Sequence, residues 1–118
     1  MQMMEWIDKA NYFFNKKDHI NFILPIEERF VEIRMLDEQM KLKISNHYPF
    51  FTPILGEFNP QLSIQFRENA WESIINGTRR LSLLHKLNDV VYQGNYRLFL
   101  LLETIFQYTS VEKNEICC

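Results

Sequence analysis

The chain has 118 residues, 47% hydrophobic and 14% aromatic, with only three glycines, a composition that excludes disorder of the whole chain and fits one packed domain. Its net charge of −2 excludes a general electrostatic attraction to nucleic acid, so nucleic acid is not an expected partner.

Taken in chain order, Met3, Trp6, Ile7, Ala10, Phe13 and Phe14 recur at helical spacing and predict a first amphipathic helix. The same stretch carries Glu5, Asp8 and Lys9, so it lacks the basic start and unbroken apolar run of a secretory signal. Asp18 is placed to cap a short turn through "HINFIL". Pro25 reads as the first residue of a second long helix, with Glu27 and Glu28 in its first turn. Ile26, Phe30, Ile33, Leu36 and Met40 would form its buried stripe, and the pattern fades near Ile44.

Residues 45–60, "SNHYPFFTPILGEFNP", hold three of the four prolines, so neither a helix nor a central strand should run through them. The segment is also apolar, through Tyr48, Phe50, Phe51, Ile54, Leu55 and Phe58. It either lies across helix ends as part of the core or offers an adhesive surface.

Asn59 and Pro60 suit the start of a third helix, whose apolar set runs through Ile64, Phe66, Ala70, Trp71, Ile74 and Ile75. Gly77 can supply a left-handed C-cap and Thr78 can cap the next helix. Alternatively one helix continues through Gly77, because Arg79 and Arg80 would be unfavourable at a fresh N-terminus. A fourth helix is expected over Leu81, Leu83, Leu84, Leu87, Val90 and Val91. "YQGNY" reads as a turn, with Gly94 at positive φ and Asn95 capping a last helix that is apolar nearly all round.

The resulting expectation is an all-α antiparallel bundle of four or five helices, two hairpins joined by the Pro-rich crossover. Residues 1–111 would form the domain, and 112–118 a polar tail that frays. Its longest apolar run, "LFLLL" at 98–102, is far short of the roughly 20 residues a membrane span needs. A cytoplasmic chain with no membrane partner is expected. Cys117 and Cys118 read as reduced thiols, since adjacent cysteines make a strained disulfide and cannot complete a zinc site.

Arg80-Leu81-Ser82-Leu83-Leu84-His85 resembles the RxxxxH signature of the HEPN ribonuclease domains over six residues. The resemblance implies an all-helical dimer in which His85 handles protons and Arg80 steadies the scissile phosphate. Five residues along one helix, however, turn about 140°, which leaves Arg80 at the edge of the apolar stripe and His85 on its polar side. Arg79, Arg80 and Lys86 also make a local basic patch.

His19 and His47 lack a partner at metal-ligand spacing, and Glu27, Glu28 and Glu32 lack the Glu-x-x-His pattern of a di-metal bundle. Ser82 lacks a G-x-S-x-G context. No metal or cofactor is expected, and an enzyme is the lesser alternative. With ten Phe, five Tyr and two Trp, the sequence favours a protein-interaction module, a regulator, chaperone or immunity-type inhibitor. It would use Tyr48, Phe50, Phe51, Phe58 and Phe99 to bind another protein or a second copy of itself. A domain that holds a small apolar ligand near the 45–60 loop is a further alternative.

Overall fold

The computed structural model describes residues 3–17, 22–67 and 69–110. Four helices, α1 (Met3–Lys16), α2 (Ala70–Asn76), α3 (Leu81–Lys86) and α4 (Tyr96–Thr109), accompany five strands. These are β1 (Arg29–Arg34), β2 (Gln39–Ile44), β3 (Phe51–Pro53), β4 (Leu62–Phe66) and β5 (Val90–Gly94). The strands form one sheet in the order β3-β2-β1-β4-β5, antiparallel except where β1 pairs with β4.

This α/β architecture overturns the expected all-α helical bundle. The second predicted helix is a hairpin of β1 and β2, closed by Met35 N–H donating to Glu38 O at 2.7 Å. "QMKLKI" alternates polar and apolar residues, and Met40, Leu42 and Ile44 form its inward row. "LSIQF" does the same with Leu62, Ile64 and Phe66. The third predicted helix is therefore β4 followed by α2, and the fourth is α3 followed by β5. Pro53 is tolerated because β3 is an edge strand.

The outer helices match their sequence pattern. In α1, Met3, Trp6, Ile7, Ala10 and Phe14 are buried. Asn95 caps α4 by accepting from Leu98 N–H at 3.0 Å. Gly94 lies at φ 124°, and a Cβ there would fall on the O of Gln61, the residue before β4. Asp18 and His19, and the expected 112–118 tail with its two cysteines, lie outside the described residues.

The core lies between the helices and the inward sheet face. Trp6 is its hub, with ring centroids 5.1 Å from Phe106, 5.5 Å from Phe51 and 6.0 Å from Trp71. Its indole N–H donates to Thr109 Oγ1 at 3.2 Å, so the buried polar atom is satisfied. The other sheet face is polar. There the buried Glu32 carboxylate accepts from Arg34, Gln39 and Ser63, with Arg34 Nη2 at 3.1 Å.

Candidate functional site

Gly77 ends α2 in the left-handed conformation, φ 73°, as its position in the sequence suggests. The turn carries residues 78–80 away from α2 before α3 begins. A Cβ on Gly77 would sit 2.8 Å from Ser110 Oγ, so the residue also permits the end of α4 to approach. Thr78 does not cap α3: its hydroxyl donates back to Ser73 O at 3.2 Å. The first turn of α3 is instead held from outside, by Ser82 N–H donating to Glu103 Oε2 of α4 at 2.8 Å.

These constraints leave a cavity of about 180 Å³ between the end of α2, the 77–80 turn, the start of α3 and the second half of α4. Ile74, Leu81 and Phe106, all buried, form its apolar floor. Exposed Arg79 and Arg80 stand at its rim, with half-buried Glu103 and Gln107. Ser110 completes the lining and is itself engaged, its hydroxyl donating to Gln107 O at 3.3 Å. Neither arginine forms an ion pair among the described residues. An apolar recess with a cationic rim suits the insertion of an apolar group whose polar end remains in water.

The residues singled out from sequence fall in several places. Arg80 lines the cavity, whereas His85 lies among rings, 5.0 Å from Tyr92 and 5.9 Å from Phe99 by centroid. The RxxxxH pair thus faces two different surroundings, in a fold that is not the all-helical one it implies. Phe50 and Phe51 are buried against Phe14, and Phe99 is buried and stacked on Tyr92 at 4.0 Å. Phe58 is half-buried against Phe30, on the polar side of the sheet, and Tyr48 alone of the five is exposed.

The 45–60 segment consequently contributes to the core, and its rings occupy the space beside it. His47 is exposed, and Glu27 and Glu28 pair with Arg29 and Lys43 at 3.4 and 3.1 Å. Among the described residues no group of three His, Cys, Asp or Glu side chains gathers to hold a metal. No helix there is long and apolar enough to cross a membrane.

Sequence reasoning reached the site only through the arginine doublet and the glycine before it. Ile74 and Phe106 read as core positions. Nothing local marks Glu103, Gln107 or Ser110, because the residues of α2, the 77–80 turn and α3 that face them across the cavity lie more than 20 residues away in sequence.

No protein-family model matches the chain, and no curated protein matches it. Solved structures do. A structure of palmitated SCP2L2 from Aedes aegypti matches with a TM-score of 0.62 at 11% identity, covering 90% of this chain and 95% of that one. Sterol carrier protein-2 like-3 from the same organism matches with a TM-score of 0.59 at 16% identity, over 91% and 98% of the two chains. The ubiquinone synthesis protein UbiJ-SCP2 gives 0.60 at 10% identity, over 85% and 84%. The fold is thus that of the sterol carrier protein 2 domains.

Proposed function

We propose that this domain binds one small apolar ligand, or the apolar end of a longer one, in the cavity beneath Arg79 and Arg80. The observation that carries the reading is the apolar floor of Ile74, Leu81 and Phe106 under a cationic rim. The fold it shares with domains described as sterol carriers supports the same reading. It is preferred to a protein-interaction module because Phe50, Phe51 and Phe99, three of the five aromatics offered for a partner, are enclosed in the core.

Size limits the ligand. A cavity of about 180 Å³ is close to the roughly 150 Å³ that admits a benzene-sized group and below the roughly 300–1,000 Å³ of pockets for larger molecules. Six buried methylenes contribute at most roughly 5 kcal/mol at ~0.8 kcal/mol each, so the affinity should be no tighter than submillimolar.

The test is titration with hexanol and with hexanoate, followed by chemical-shift changes. Shifts should concentrate at Ile74, Leu81, Phe106 and Gln107. Ile74→Phe should occupy the recess and weaken binding about tenfold or more, ~1.4 kcal/mol, while the chain stays folded. Shifts confined to other surfaces, or full binding by Ile74→Phe, would overturn the assignment.

A further inference from the structure

Leu83 on α3 and Leu87 at its C-cap, four residues apart, are 44% and 50% exposed, whereas Leu81 and Leu84 are buried. On α4, Tyr96 and Leu100, also four residues apart, are 59% and 36% exposed. The two helices are neighbours: Glu103 holds the Ser82 N–H, and the rings of His85 and Phe99 meet. Leu100 and Tyr96 lie one and two turns before Glu103, on the α4 face that carries this contact with α3.

Cations accompany these apolar groups. From residue 79 to residue 100 the chain carries Arg79, Arg80, Lys86 and Arg97 against one acid, Asp89, although its net charge as a whole is −2. All four cations are exposed, and none forms an ion pair among the described residues. Glu103, the acid that α4 adds to this region, is occupied with α3.

We propose that the α3–α4 face is a docking surface for an anionic lipid bilayer. Exposed leucines and a tyrosine would enter the headgroup boundary while the cations meet the negative surface, the division of labour of interfacial helices. The charge complementarity favours an anionic bilayer over a neutral one. Two of the cations also form the rim of the cavity, so the docked domain would present that rim at the lipid surface. A peripheral contact of this kind needs no membrane-spanning helix, and none is present among the described residues.

The experiment is sedimentation of the full chain, with no added ligand, on vesicles of phosphatidylcholine alone and of phosphatidylcholine with phosphatidylserine. Binding is expected on the mixed vesicles, weakening as salt is raised. Lys86→Gln and Arg97→Gln should each lower the association constant about fivefold, the equivalent of ~1 kcal/mol per cation. Leu83→Ser should lower it further, whereas Lys43→Gln on the polar sheet face should not. Leu83, Lys86 and Arg97 are exposed and Lys43 half-buried, and circular dichroism verifies that each variant is folded.

Ile74→Phe, which closes the recess, should bind vesicles like the parent, so the outcome is separate from that of the ligand titration. Equal binding to neutral vesicles, no binding to the mixed ones, or unchanged binding by the Gln variants would overturn the proposal. So would a dimer that Leu83→Ser dissolves, because the face would then be an interface between two copies of the chain.

Discussion

Asn11 spends both ends of its side-chain amide on a single residue. Its Nδ2 donates to Phe51 O at 2.9 Å, and Phe51 N–H donates to its Oδ1 at 2.8 Å. Phe51 begins the edge strand β3, so a side chain of α1 stands where the next strand would pair, and part of the open edge is covered. Asn11→Ala should leave both backbone groups without that partner and cost about 2–3 kcal/mol, seen as a lower urea midpoint at unchanged slope. Asn11→Asp keeps the acceptor and loses the donor, and should fall between. A loss below about 0.5 kcal/mol in Asn11→Ala would mean that water replaces the amide. Residue-level legibility divides along this line. Gly77 and Asn95 were readable because backbone conformation and capping are local. Position 11 shows no sign of its partner, which lies 40 residues away.

Elements show a similar division between internal and borrowed caps. Asn95 caps its own helix, whereas α3 has no side-chain cap at Arg80 and receives the Glu103 carboxylate from α4. Asn95→Ala should destabilise the chain by about 1 kcal/mol and speed amide exchange in the first turn of α4. Glu103→Ala should have a similar cost but speed exchange at Ser82, a difference that amide-exchange measurements resolve. If Glu103→Ala leaves Ser82 unchanged, the carboxylate is not what holds α3. The strands were misread for an identifiable reason. Positions four residues apart, such as Met40 and Ile44, satisfy the even period of a strand and one turn of a helix alike. The spacing of Met40 and Ile44 therefore fits either element, whereas the three-residue step from Ile33 to Leu36 fits a helix alone. The intervening Leu42, buried between Lys41 and Lys43, is the residue that decides for a strand. Leu36, assigned to the buried stripe of a helix, is in fact exposed in the turn between β1 and β2.

Over the molecule as a whole, one ring cluster joins the layers. Trp6 of α1 contacts Phe51 of β3, Phe106 of α4 and Trp71 of α2, and Trp71 meets Phe66 of β4 at 5.5 Å. Both tryptophans of the chain thus report on the same contact between helices and sheet. Urea unfolding followed by tryptophan fluorescence and by far-ultraviolet circular dichroism should give coincident transitions, as expected of a single cooperative domain under about 150 residues. A fluorescence change at lower urea than the loss of secondary structure would show that the helical layer separates before the sheet melts. The cavity belongs to this scale as well. Its floor combines Ile74 of α2, Leu81 of α3 and Phe106 of α4, three side chains that separately read as ordinary core.

The sequence by itself determined the first and last helices and the cap at Asn95, and it offered the left-handed turn at Gly77 as one of two readings, because each rests on interactions within a few residues. Only the tertiary structure decided that the middle of the chain pairs as a sheet, that Phe50 and Phe51 turn inward, and that two arginines stand over a recess with an apolar floor. Those outcomes depend on which distant segments meet, and short apolar spacings that suit both helix and strand leave that choice to packing.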